Sequence, residues 1–245
     1  MCGICGFNWE DKELVKELSS TIAHRGPDAS GFFVDKISLG HRRLSIIDLS
    51  SAGKQPMSNE EGDIWIVYNG EIYNFNDIRK WLESLGHKFK SNTDTEVIIH
   101  AYEEDGEACL ARFNGMFAFA IWDSKKKQFF LARDRIGIKP LYYYFKDGRF
   151  IFASEIKAIL KAIDTKEKKI NKTALANFLN LEYVPAPETI FEDIKKLSAG
   201  HYLIVKNGKC AIKEYWDLRF NDSERSFDFL VWGNCRDCIN NCTRI

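Results

Sequence analysis

The chain has 245 residues, 45% of them hydrophobic, with 18 Phe, 9 Tyr and 6 Trp, enough to fill a sizeable core. Lys+Arg and Asp+Glu number 35 each, so the net charge is zero and the basic excess that nucleic-acid binding draws on is missing. The longest apolar run, residues 116–122, is too short to span a bilayer. Glu10, Asp11 and Glu13 argue against a signal peptide, and 7 cysteines, an odd number, argue against a disulfide framework. The expectation is a cytoplasmic protein without nucleic-acid or membrane partners.

Residues 12–23 place Leu14, Val15, Leu18 and Ile22 at helical spacing, and "HRGPDASG" (24–31) follows as a loop. Residues 32–34 and 37–44 read as a hairpin pair. Residues 64–69 alternate as a half-buried strand that ends at Asn69-Gly70, a turn signal. Residues 75–85 make an amphipathic helix with Ile78, Trp81, Leu82 and Leu85 on one side and Gly86 as C-cap. Thr93-Asp94-Thr95-Glu96 has the capping-box pattern, and Val97, Ile98, Ala101 and Tyr102 continue a second helix. Short strands follow at 116–122, 128–132, 141–145 and 150–153, then a short helix at 155–161. A helix at 174–181 leads into the proline-bearing "VPAPETIFEDIKKL", and a last hairpin turns at Asn207-Gly208. Antiparallel strands dominate and the helices come in groups, which predicts an α+β fold.

The opening "MCGICG" carries chemistry under three readings. Cys2-x-x-Cys5 has the spacing of a redox dithiol, yet only Met1 precedes it where a thioredoxin-type site needs a strand. It also has the spacing of half a zinc site, to which Cys235-x-x-Cys238 could add two ligands. The plainest reading makes both cysteines small residues of a tight N-terminal strand, with Ile4 and Phe7 facing one layer. A sharper reading starts from removal of Met1, which leaves a thiol and a free α-amine on Cys2. The amine's reference pKa is about 7.7–8.0, so it can act as general base for its own thiol.

That reading requires oxyanion donors and substrate-binding charges elsewhere. "MCGICG", "HRGPD", "HRRLSIID", "YNGEIYN", "TDTEV", "NGMFAFAIWD", "ARDRIGIKPLYY" and "FASEIKAI" occur in the order seen in class II glutamine amidotransferases. Together they resemble the N-terminal glutaminase domain of glutamine-hydrolysing asparagine synthetases, over residues 2–218. Each motif alone is weak, whereas eight in register are specific. The resemblance implies a four-layer αββα sandwich of the N-terminal-nucleophile hydrolase type, with two mainly antiparallel sheets between helical layers. It implies no cofactor.

The resemblance also implies roles. Cys2 corresponds to the nucleophile that attacks the side-chain amide of L-glutamine, and the Asn69 side chain and Gly70 N–H correspond to the oxyanion donors. Arg43 corresponds to the partner of the α-carboxylate, with the backbone of Leu44, Ser45, Ile46 and Ile47 lining the same pocket. Asp94 corresponds to the partner of the α-ammonium, with Glu71 close to it. Each has a plainer alternative: a turn at Asn69-Gly70, a solvated strand arginine at Arg43, a dipole-stabilising acid at Asp94. "HRGPD" and "RDRIGIKPLYY" are read as scaffold. The 5 histidines show no metal spacing, and no phosphate-binding loop is present.

After "EYWDLRF" the resemblance ends. No Ser-Gly-Gly-x-Asp-Ser pyrophosphate loop is present, so asparagine synthesis by this sequence alone is not expected. Residues 2–222 are read as the amidotransferase domain and 223–245 as a divergent, poorly packed tail holding Cys235, Cys238 and Cys242. Three functional readings result: a glutaminase that supplies ammonia to a separate synthetase subunit or simply hydrolyses glutamine, a non-catalytic remnant that binds glutamine or a partner, and a metal protein built on Cys2, Cys5, Cys235 and Cys238. The first is favoured. A homodimer is the further partner left open.

Overall fold

The computed structural model describes residues 1–46, 48 and 50–219. The predicted tail 223–245 with its three cysteines, and Ile47, therefore lie outside the described residues. Among the described residues, twelve strands form two six-stranded antiparallel sheets. The first contains β1 (Gly3–Phe7), β2 (Ala29–Asp35), β3 (Ile37–Arg43), β8 (Tyr142–Lys146), β9 (Arg149–Ala153) and β10 (Ile194–Lys196), in the order β10-β8-β9-β1-β3-β2. The second contains β4 (Met57–Ser58), β5 (Ile64–Ile72), β6 (Gly115–Asp123), β7 (Gln128–Arg133), β11 (His201–Lys206) and β12 (Lys209–Glu214), in the order β12-β11-β7-β6-β5-β4.

Period-two alternation gives each sheet two apolar faces, and three cores result. Between the sheets pack Ile4, Leu39, Val67, Ala118, Ala120, Phe129, Leu131 and Phe152. On the outer face of the first sheet, α1 (Lys12–Thr21) and α4 (Ile156–Ala162) bring Val15, Leu18, Ala158 and Ile159 against Cys5, Phe7 and Tyr144. On the outer face of the second, α2 (Phe75–Ser84) and α3 (Asp94–Asp105) bring Ile78, Leu82, Val97 and Ile98 against Ile66, Tyr68, Phe119 and Phe130. The layers are thus helix, sheet, sheet, helix: an αββα sandwich of α+β class. A fifth helix, α5 (Lys172–Leu181), lies beyond them and exposes Leu175, Phe178 and Leu179. No helix among the described residues is long and apolar enough to cross a membrane.

Several local expectations change. Ile4 and Phe7 do not share a layer: Ile4 faces the inter-sheet core and Phe7 the helices, as an odd separation on a strand dictates. Asn69-Gly70 is not a turn, because β5 continues to Ile72 with Gly70 opposite Phe117. Glycine is required there, since a Cβ would lie 2.3 Å from Met116 O. The capping box on α3 is only half formed. Thr93 Oγ1 accepts from Glu96 N at 3.4 Å, but the Glu96 carboxylate reaches past Thr93 to the N–H groups of Lys90 and Ser91, both at 2.8 Å. The Ser91 hydroxyl holds it there at 2.6 Å. By contrast, Asn207 (φ 51°) and Gly208 (φ 67°) close the predicted tight hairpin, with Lys206 opposite Lys209.

Candidate active site

β1 begins directly after Cys2 and lies between β9 and β3 in the first sheet. Cys5 on this strand is buried among the helix-side core residues, while Cys2, an odd step away, turns to the loop after β3. The Leu44 N–H donates to Cys2 Sγ at 3.3 Å, and the thiol lies 3.6 Å from Leu44 O. The two thiols thus serve different environments and do not form a dithiol pair; both are unpaired, as are Cys109 and Cys210. Burial pushes the Cys2 thiol pKa up, against the hydrogen bond from Leu44 and the nearby N-terminal charge and Arg43. The backbone carbonyl of Cys2 is held by Arg25, whose Nε donates to it at 2.9 Å while Nη1 donates to Glu155 at 3.0 Å.

β5 supplies the opposite wall. Tyr68 points outward to the helices and Asn69 inward to the sheet interface, where it pairs with Ala118. Asn69 is 1% exposed, and its Nδ2 is a buried donor without a partner among the described residues. Backbone amides also alternate along a strand. Tyr68 N donates to Gln55 Oε1 at 2.6 Å and Ile72 N to Asp94 Oδ2 at 3.0 Å, on the side away from β6. The Gly70 N–H, between them in the alternation, points the same way. Asp94, 4% exposed, opens α3 and also accepts from the Tyr68 hydroxyl at 2.6 Å. Burial raises its pKa, with the Tyr68 and Ile72 hydrogen bonds opposing.

One cavity is lined by Cys2, Arg43, Leu44, Ile46, Asn69, Gly70, Glu71 and Asp94, which come together from four distant segments. Ser45 is not among its lining residues; its N–H is drawn away to Asp28 Oδ2 at 2.8 Å. Arg43 is not a solvated strand arginine. Its Nη1 donates to Ser50 O at 2.8 Å and Nη2 to Asp48 O, which curls the loop around the guanidinium. Gly53 leaves room for this, since a Cβ there would lie 2.4 Å from Arg43 Nη2.

The cavity has further walls that sequence reasoning passed over. Gln55 bridges Tyr68 N and Thr95 Oγ1, the latter at 3.1 Å, and nothing in its sequence setting signals this. Lys139, inside the motif read as scaffold, lines the cavity at 5% exposure. Burial lowers its pKa, against the attraction of Asp134. The rest of that motif is scaffold as expected. Asp134 accepts from the N–H groups of Phe117, Ile138 and Lys139, and Arg133 donates to the carbonyls of Gly137, Lys139 and Leu197.

A thiol at the first strand, a buried amide donor without a partner among the described residues, an Arg and an Asp thus share one cavity, an arrangement that fits a class II glutamine amidotransferase. The glutamine amidotransferase domain family matches residues 1–216, and the chain belongs to it. It is 40% identical over 241 residues to asparagine synthetase [glutamine-hydrolyzing] 3 of Bacillus subtilis, covering 94% of this chain and 39% of that protein. It is also 40% identical over 253 residues to putative asparagine synthetase [glutamine-hydrolyzing] 2 of Methanocaldococcus jannaschii, covering 93% and 48%. The chain therefore spans less than half the length of these relatives. The glutamine phosphoribosylpyrophosphate amidotransferase of B. subtilis shares the fold at a TM-score of 0.64 and 18% identity, over 88% of this chain and 49% of that one.

Proposed function

We propose that this amidotransferase domain hydrolyses L-glutamine to glutamate and ammonia through a thioester on Cys2. The observation that carries the reading is the buried, unpaired Asn69 Nδ2 in the cavity of the Cys2 thiol. A buried amide donor without a partner costs the fold about 1–3 kcal/mol. A donor kept at that cost beside a nucleophile suits an acceptor that exists only during reaction.

With Met1 removed, the neutral α-amine of Cys2 takes the thiol proton, and the thiolate attacks the amide carbon of glutamine. Asn69 Nδ2 and the Gly70 N–H donate to the oxyanion, each worth about 3 kcal/mol in such sites. The α-ammonium returns its proton to the leaving nitrogen, ammonia departs, and the thioester remains. Water, deprotonated by the same amine, adds to the thioester and frees glutamate and the thiol. Arg43 pairs the substrate α-carboxylate, and Asp94 with Glu71 pairs the α-ammonium. Arg25 holds the Cys2 carbonyl and so fixes the terminus. The ammonia goes to asparagine synthesis by a synthetase part outside this sequence, for which exposed Leu175, Phe178 and Leu179 offer an apolar face.

The test is the mass of the N-terminal peptide before and after a glutamine-like alkylator, with ammonia release measured in parallel. One adduct, on a Cys2 that has lost Met1, is expected. Retained Met1 or an adduct elsewhere overturns the mechanism. Glutamine binding without ammonia release from a processed terminus would support the non-catalytic reading.

A further inference from the structure

Further along α3 from Asp94, two histidines separated by 13 positions meet. α2 ends in a Schellman turn: Gly86 has φ 101°, its N–H donates to Glu83 O at 3.0 Å, and His87 N donates to Leu82 O at 3.1 Å. This turn lays the His87 ring over α3, where His100 and Glu103 share a face at i,i+3 spacing. His87 Nδ1 lies 3.1 Å from His100 Nδ1, His100 Nδ1 lies 2.7 Å from Glu103 Oε2, and His87 Nδ1 lies 3.8 Å from Glu103 Oε2. A tetrahedral zinc ion with bonds of about 2.0–2.1 Å has ligand–ligand edges of about 3.3 Å. A point about 2.0–2.1 Å from all three atoms exists just off their plane.

The surroundings are arranged as for metal ligands. Glu104 Oε1 sits 2.8 Å from His87 Nε2, which places the ring proton there and leaves Nδ1 a lone pair. Asn59 Nδ2 donates to Glu103 Oε1 at 2.7 Å and turns Oε2 to the histidines. His100 is 1% exposed, and its Nε2 has no hydrogen-bond partner among the described residues, where the nearest carboxylates, Glu60 and Glu96, are 3.8 and 3.9 Å away. The buried ring is therefore oriented by its Nδ1 edge. Two imidazole nitrogens and a carboxylate oxygen converging at these distances have one proton to share, whereas a cation would satisfy all three.

We propose that His87, His100 and Glu103 bind one zinc-class divalent cation, with water completing the tetrahedron on the side left open by the partly exposed His87 and Glu103. Two nitrogens and one oxygen are a donor set zinc accepts. The ion clasps the α2–α3 connection onto the helix whose first residue, Asp94, lines the Cys2 cavity. His100 follows Asp94 by about 9 Å along the axis.

The full chain, stripped with chelator, is titrated with Zn2+ and with Co2+. We expect one ion per chain and cobalt d–d bands without thiolate charge transfer, which separates this site from the cysteines. His87→Ala, a partly exposed position, should abolish binding and the zinc-dependent rise in Tm while keeping the native circular-dichroism spectrum. Glu104→Gln should weaken binding about tenfold. Absence of stoichiometric binding, equal binding by His87→Ala, or a sulfur-ligated cobalt spectrum overturns the proposal.

Discussion

The two walls of the Cys2 cavity are built by different means. On one side β5 and the start of α3 fix every group through secondary structure. Ladder pairing sets Asn69 and Gly70, and Asp94 is held by Tyr68 and Ile72. On the other side the described loop residues after β3, Leu44, Ser45, Asp48 and Ser50 among them, are held by side chains. Arg43 takes the carbonyls of Ser50 and Asp48, Asp28 takes Ser45 N, and Asp48 Oδ1 takes Ser50 N at 2.8 Å. Groups that must meet a charge developing at the reacting carbon gain from a rigid support, because reorganisation during the reaction would cost them their advantage. The end that receives a free amino acid must admit and release it, which suits a loop. In the proposed reaction Asn69 and Gly70 on the strand wall should therefore govern turnover, while Arg43 on the loop wall, together with Asp94 and Glu71, should govern substrate affinity.

The largest effect that could break this division is at Asn69. Asn69→Ala should lower kcat by about 10²–10³ with KM nearly unchanged. Because Nδ2 has no partner among the described residues to lose, its removal should lower urea stability by no more than about 1 kcal/mol, the relief of the unmet donor offsetting the small cavity left behind. A loss of several kcal/mol would show that the amide is part of the fold and not held for the reaction.

Next comes the strut between the walls. His41 on β3 is fully buried, and its Nε2 donates to Tyr68 O at 3.1 Å, joining the two sheets beside the cavity. Burial lowers its pKa to about 4, the hydrogen bond to Tyr68 opposes, and Arg43 adds to the lowering. The ring is thus neutral in the folded state, while an unfolded chain takes up a proton near pH 6.5. The His41 contribution to stability should be level above that pH and fall as pH drops from about 6.5 to 4, by up to about 3 kcal/mol. Urea titrations at pH 7.5 and 5 should show it as a difference: the parent loses more stability on acidification than His41→Asn, with His100, raised against burial to about 9 by Glu103 and Glu96, acting with the opposite sign in both. An unchanged slope would mean that His41 carries its charge inside the fold and that the walls are joined differently.

The legibility of the two walls differs for a physical reason. β5, β6 and α3 were readable because each obeys a local rule: alternation, an apolar run, a Thr at the N-cap. The exceptions were places where a long-range neighbour overrides the local signal. Asn69-Gly70 looks like a turn until β6 is laid beside it, and Glu96 looks like half of a capping box until Ser91 folds back onto it. The cavity itself joins positions 2, 43, 44, 46, 69–71 and 94, which no spacing rule connects; the family resemblance brought them together. Gln55 and Lys139 were missed because their partners, Tyr68 N and the Cys2 cavity, are supplied by tertiary structure. His87 and His100 were missed for the same reason, since only the turn at Gly86 makes them neighbours.

The smallest expected effect tests the loop wall alone. Gly53 closes the short 3₁₀ turn Ser51–Gly53, and its φ is not in the left-handed region, so alanine is compatible with the backbone. The added Cβ would lie 2.4 Å from Arg43 Nη2 and 3.0 Å from Thr93 Cγ2. The guanidinium is the flexible end of a long side chain and can shift, so the fold gives way cheaply. What shifts is the group assigned to the substrate carboxylate. Gly53→Ala should raise KM for glutamine about tenfold, or about 1.4 kcal/mol of binding. It should leave kcat within about twofold, because the strand wall and Cys2 are untouched. Steady-state ammonia release at varied glutamine decides it. A fall in kcat at unchanged KM would mean that the loop also sets the geometry of the reacting amide, and the division between the walls would fail.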